Sequence, residues 1–284
     1  EVTVPLLFKH QLSNIEIRAY SANPTYNIEV AGIRIGHPYT GNCLFNFCNE
    51  SGDTHNDEGG EWFVSKNPQR LPVDYIYGVR DSIVRLGHFT KDNITVAAHT
   101  NPSTATTLMG AGGNAMVIPT KNGMWKGKEN PWIATKYIDN PSKVADTWSA
   151  DNEYGDMYFS VLVRVTVKKS GTQIYPYGNN TTMNVVALSK DINSNNILGR
   201  VPRGSAAAPG TEVLEFGWVC VPVSVDWKRG KKYIYTLDFT DGIGIQDPDD
   251  DEPGNPILGS GITFTMTLEN WADETMPDID IPEE

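Results

Sequence analysis

At 284 residues the chain can bury a sizeable core, as one large β domain or two medium ones, without a metal or a disulfide. A formal net charge of −12 excludes nucleic acid as a partner, because phosphates need a basic footprint. No apolar run is long enough to span a bilayer and no charged-then-apolar leader precedes Glu1, so the expectation is a cytosolic or a processed chain.

The first run, Val2 to Phe8, is extended, and Pro5 confines it to an edge or to the first position of a paired segment. Opening directly on a strand favours the processed product. After an interruption at Lys9 to Ser13, Asn14 to Tyr20 alternates strictly and directs Ile15, Ile17 and Ala19 to a core. His10, with no second ligand nearby, reads as a hydrogen-bonded structural imidazole rather than a catalyst. Tyr26 to Ile35 is the next strand, closed by Gly36 and Pro38, and Cys43 to Phe47 follows. Residues 49–60 read as a long exposed loop, in which His55 among Asp53, Asp57 and Glu58 lacks organised metal spacing. The cysteines Cys43, Cys48 and Cys220 are odd in number; small buried apolar residues are the favoured reading, with a Cys43 to Cys48 bridge as the alternative.

Trp62 to Val64, Ile83 to Leu86 and Asn93 to Ala98 predict short strands. The glycine-rich run Gly110 to Asn114 leads into a strand-like Ala115 to Pro119 and not into a helix, so it does not fit a phosphate loop. From Lys121 to Gly155 the period is lost. Trp125, Trp132 and Trp148 lie scattered there, as candidate sugar-stacking aromatics or, the favoured reading, as covers over a sandwich edge. Alternation returns from Tyr158 to Val167, with Phe159, Val161, Val163, Val165 and Val167 on one face. Lys168 to Gly171 then makes a hairpin to a returning strand, Thr172 to Tyr177. Asn184 to Leu188 is a further short run. Asn193 to Gly210 reads as a flexible loop exposing Arg200 and Arg203 to a trypsin-like protease.

Val213 to Val225 predicts a strand in which Pro222 marks an edge or a bulge. A charged turn around Gly230 follows, then a half-buried strand with Tyr233, Tyr235, Leu237 and Phe239 inward. Ile262 to Leu268 alternates with Thr263, Thr265 and Thr267 on its polar side, so the three runs predict an antiparallel meander with one wet face. Between them Asp247, Asp249, Asp250, Asp251 and Glu252 crowd one loop. Pro248 and Pro253 and the missing ligand spacing favour a solvated acidic turn over a calcium site. No triad, zinc pattern, nucleophile elbow or carboxylate pair is present, so the expected class is an all-β protein that is not an enzyme and takes no metal or cofactor.

Four motifs in order resemble the fimbrillin family, the major and minor pilins of Bacteroides-type bacteria, mainly its C-terminal domain. Leu6 to Ile17 is similar to the strand-turn-strand opening of the second half of those proteins, and Ala115 to Pro119 to their mid-domain strand ending in Ile-Pro. Val225 to Tyr235 resembles their Trp-x-x-Gly-Lys-x-Tyr-x-Tyr hairpin, and the run from Asp247-Pro248 to Glu269-Asn270-Trp271 their ending.

The resemblance implies a transthyretin-like antiparallel β-sandwich with long loop insertions. Residues 1–284 would form a single domain with an irregular insertion at about 99–156, or two smaller sandwiches split near 156. It also implies export as a lipoprotein precursor, with the lipid anchor only in that precursor, and a place at the cell surface in an outer-membrane fimbria. Partners would be other pilin subunits, joined by strand addition, and a host surface protein or glycan. The expected donor is the C-terminal part, Leu268 to Glu284, with Trp271, Met276, Ile279 and Ile281 as apolar anchors. A surface carbohydrate-binding module using Trp125, Trp132 and Trp148 is the alternative. Family pilins carry a further N-terminal sandwich before the first motif, for which this chain has no room, so a short member or a fragment is expected.

Overall fold

The structure is a computed structural model and describes residues 7–8, 10–36, 43–46, 61–64, 73–76, 94–96, 104–110, 115–127, 157–176, 185–193, 197–200, 208–248, 250, 252–271 and 274–275. Its first strands are β1 (Leu7–Phe8), β2 (Ser13–Tyr20), β3 (Tyr26–Gly36), β4 (Cys43–Asn46), β5 (Glu61–Val64), β6 (Val73–Ile76) and β7 (Ile94–Val96). There follow β8 (Thr106–Met109), β9 (Met116–Val117), β10 (Lys121–Asn122), β11 (Tyr158–Val167), β12 (Gln173–Tyr175), β13 (Val185–Asp191) and β14 (Ile197–Arg200). The last are β15 (Thr211–Pro222), β16 (Val225–Asp226), β17 (Lys231–Asp238), β18 (Ile245–Gln246), β19 (Thr263–Asn270) and β20 (Glu274–Thr275). Among the described residues there is no α-helix.

Two sheets carry the fold. The larger runs β14-β13-β15-β11-β3-β6, with β12 beside β11, β18 beside β15 and β7 beside β3. The smaller runs β19-β17-β2-β8, with β9 beside β2. The period-two residues meet between them: Ile15, Ile17 and Ala19 of β2 and Tyr233, Tyr235 and Leu237 of β17 share one buried cluster with Ile33, Phe159, Val161 and Val219 of the large sheet. Across the layers the Phe159 ring meets that of Tyr235 edge-on at 4.9 Å. This is the all-β sandwich that the alternation predicts.

The pairing departs from the expected meander. β15 lies in the large sheet, whereas β17 and β19 lie in the small one, because an alternating strand states which of its faces is apolar but not which layer it joins. Nor is the sandwich wholly antiparallel: β17 runs parallel to β2, from Lys232 opposite Asn14 to Asp238 opposite Tyr20. With neighbours on both sides, β17 is buried on both faces, including Ile234 and Thr236, instead of half-buried. Pro222 is the terminal residue of β15, paired to Tyr158 on an interior strand, where its missing N–H interrupts nothing. The expected loop at 193–210 contains a strand, β14, that pairs with β13 and includes Arg200. Ile83 to Leu86 lies outside the described residues.

The turn before β17 is locked by its own motif. Trp227, 1% exposed, donates its indole N–H to the Tyr235 hydroxyl at 2.8 Å. The Tyr233 hydroxyl accepts from the Lys228 N–H at 2.7 Å and donates to the Asp226 carbonyl at 2.9 Å. Gly230 turns the chain at φ 64°. Gly110, at φ 81° beside β2, has room for no Cβ because the Ile15 carbonyl oxygen occupies that position, so the glycine serves packing at that point.

Candidate functional site

β19 ends the small sheet, and among the described residues no strand pairs with its outer side. Within the sheet, Phe264, Met266 and Leu268 stand opposite Leu237, Tyr235 and Tyr233. Directly paired residues share a face, so all six point to the side of the sheet that makes the core. The three on β17 are buried, yet Phe264, Met266 and Leu268 are 37%, 49% and 54% exposed. The core-facing side is therefore uncovered along β19.

Isolated exposed apolar residues are ordinary on protein surfaces, and Met116, Met124 and Ile192 occur that way on separate elements. Three in alternation on one edge strand are not. Edge strands are usually blunted by proline, lysine or a bulge. β19 contains no proline and no basic residue, its ladder to β17 shows no register shift, and its single charge, Glu269, is next to its last residue.

The opposite face of the same sheet is polar. Glu16 on β2 accepts from Arg18 Nε at 2.5 Å and pairs with Lys232 Nζ at 2.7 Å; Lys232 in turn lies 3.8 Å from Glu269. Burial pushes the Glu16 carboxyl up, but hydrogen bonds and charge from Arg18 and Lys232 outweigh it and hold the group below its ordinary value.

Beyond the end of β19 the first and last described strands meet: β1 pairs antiparallel with β20, Leu7 opposite Thr275 and Phe8 opposite Glu274. The Trp271 indole stacks on the His10 imidazole at 3.7 Å with 2° between the planes, and its backbone N–H donates to the Gly230 carbonyl at 3.0 Å. His10 is thus a packing partner. Of the expected donor segment, Leu268 belongs to its own chain's β19 and Trp271 to this stack, while Met276, Ile279 and Ile281 lie outside the described residues. Among the candidate sugar-contacting aromatics, Trp125 is buried, 4% exposed, against Tyr158 and Cys220. Trp132 and Trp148 lie outside the described residues, as do Cys48, His55 and Arg203.

On the outer face of the large sheet a second polar group is enclosed. Arg34 on β3 and Cys220 on β15 both stand opposite Ser160 on β11. Asp247, fully buried, accepts from Arg34 Nη2 with both oxygens, at 2.8 and 2.9 Å, and from the Ser160 hydroxyl. The Arg34 guanidinium also lies 4.8 Å from the Trp218 ring centroid. Burial, with the Asp247 charge adding to it, pushes the Cys220 thiol well up, so the sulfur stays protonated and inert. Asp247 is therefore a structural anchor and not part of a solvated acidic turn; the sequence placed it among acids, but its partner lies 213 residues away. Among the described residues no three side chains are grouped to hold a metal.

The signal that could have marked the edge was present in the sequence, since Phe264, Met266 and Leu268 alternate with threonines as any half-buried strand does. What the pattern lacks is the count of strands in the facing layer. Comparison with known proteins returns no matching family model, no similar curated protein and no similar solved structure.

Proposed function

We propose that this chain is a non-enzymatic structural or adhesive subunit of a bacterial cell-surface fimbria, exported to the outer membrane, with a transthyretin-like sandwich that joins other subunits by strand addition. The receiving edge is β19. The observation that carries the reading is the alternation of Phe264, Met266 and Leu268 along an unprotected edge, each half open on the side where the core should continue. An extended segment from a neighbouring subunit, apolar at every second position, would give partners to the backbone groups on the outer side of β19, with which no described strand pairs. Covering the three side chains would contribute on the order of 1 kcal/mol each, half the value of full burial. Two of the four motifs that resemble the fimbrillin family bear on this edge: the Trp227 to Tyr235 lock holds β17, against which β19 pairs, and the run that ends at Trp271 includes β19 itself. No described residue favours the carbohydrate-binding alternative, since Trp125 is covered.

The donor is a neighbour's C-terminal tail beyond β19. The full chain is mixed with an excess of a synthetic peptide of residues 272–284, in which Ile279 and Ile281 share one face of an extended strand and Met276 falls on the other, and the thermal midpoint is measured. Binding at a hundredfold excess over Kd stabilises by about 2.7 kcal/mol and raises the midpoint by several degrees. No rise, or an equal rise in the Met266→Lys variant, refutes β19 as the receiving edge.

A further inference from the structure

We propose that, when no donor strand is bound, β19 pairs antiparallel with β19 of a second copy about a two-fold axis at Met266, closing the open edge as a symmetric dimer. This stands on the geometry of β19 alone and does not need the fimbrial reading.

The strand is its own complement in one register. With Met266 opposite Met266 of the second copy, Phe264 falls opposite Leu268 in both directions and Thr265 opposite Thr267, so the apolar face meets itself and the threonine face meets itself. A shift by one residue sets the apolar side chains against threonines or, in one direction, Phe264 against Glu269, and is excluded by the pleat. A shift by two toward the C-terminus leaves Phe264 opposite Asn270, and a shift by two toward the N-terminus sets Leu268 opposite Ile262, which precedes β19 and is buried in its own chain. The charge pattern permits the pairing as well: Glu269 falls opposite Thr263, so no like charges oppose one another across the junction. Glu269 also has a cation of its own chain within 3.8 Å, Lys232, which offsets the cost of bringing a second strand alongside.

The two modes of closure differ in outcome. Symmetric pairing uses the same edge on both molecules and stops at two, whereas strand donation leaves one edge free at each step and propagates. A donor segment and a second β19 compete for one row of backbone groups, so each excludes the other from this edge.

Sedimentation of the full chain over a concentration series, together with oxidative cross-linking of single-cysteine additions, tests this. The mass is expected to rise from 31.3 kDa toward twice that value with concentration, and Met266→Lys is expected to abolish the rise while keeping the circular dichroism of the parent. Directly opposed residues have Cα atoms about 4.5–5.5 Å apart, within disulfide reach. Met266→Cys should therefore cross-link to itself well above the background of the unmodified chain, and Thr263→Cys should not. A mass that stays at 31.3 kDa to the solubility limit, or equal cross-linking at positions 263 and 266, overturns the dimer. If the chain is monomeric but the 272–284 peptide still raises its thermal midpoint, self-pairing fails and the receiving edge survives. If the dimer forms and the peptide neither dissociates it nor stabilises the chain, self-pairing survives and strand donation at β19 fails.

Discussion

Replacing Asp247 by alanine removes one member of the enclosed pair on the outer face of the large sheet and leaves the Arg34 guanidinium without its bidentate partner. Three effects compete. The lost side chain is small, so its cavity is a minor cost; the Ser160 hydroxyl loses its acceptor, about 1 kcal/mol or more. The largest is the loss of the enclosed Arg34–Asp247 ion pair itself, since breaking a buried pair costs about 3–5 kcal/mol. The Trp218 ring, 4.8 Å from the guanidinium, is present in parent and variant alike and leaves this difference unchanged. A net loss of about 4 kcal/mol follows, a large part of the roughly 5–15 kcal/mol that typical domains possess. It is measured by urea unfolding at neutral pH, followed by tryptophan fluorescence, with the slope m unchanged. The double variant Arg34→Met/Asp247→Ala, which leaves no buried charge, should recover much of the loss. A loss below about 1 kcal/mol in Asp247→Ala, the value of an exposed pair, would show that the site is wetter than its geometry indicates and refute the reasoning.

Two further outcomes are expected. Because the Glu16 carboxyl is held below its ordinary value of 4.5, its contribution to stability is complete above that pH and is lost as pH falls through the lowered value. Glu16→Gln should accordingly lower stability at neutral pH and flatten the stability profile below about pH 4.5, read from thermal midpoints across a pH series; an unchanged acid limb contradicts this. At Gly36 an added Cβ would overlap the fully buried Tyr158 ring, so Gly36→Ala is expected to cost about 1–3 kcal/mol. Gly171→Ala, in open space at φ 69°, should cost only the about 1 kcal/mol of a strained turn, and equal midpoints for the two variants would count against the Tyr158 packing.

Strand positions and their inward faces were legible in the sequence. Ile15, Ile17 and Ala19, the run from Phe159 to Val165, and Tyr233 to Phe239 all announce themselves by period two and all reach the core. Layer membership was not legible, because β15 and β17 carry the same pattern although they sit in opposite sheets. Local composition misled at Asp247. An aspartate among acids suggests solvent, but Asp247 is buried by Arg34, remote in the chain; at Trp125 an irregular stretch left sugar stacking and edge covering both open, and the indole packs against Tyr158. The candidate edge lay between these extremes. Its alternation was plain, but its exposure depends on whether a strand of the other layer faces it, and among the described residues none covers it, a property of the assembled layers that no window of residues can contain.

The parallel ladder between β2 and β17 has a consequence for the time course of folding. Its strands join residues 218 positions apart, as in the contact from Tyr20 to Asp238, so the small sheet lacks its central pair until synthesis has run from Tyr20 through Asp238. At ribosomal rates of 5–20 residues per second that delay is roughly 10–40 s. For that interval Ile15 and Ile17 travel on a nascent chain with β8 and β9 on one side of β2 and no strand on the other, and the high contact order that results places this molecule among the slow folders.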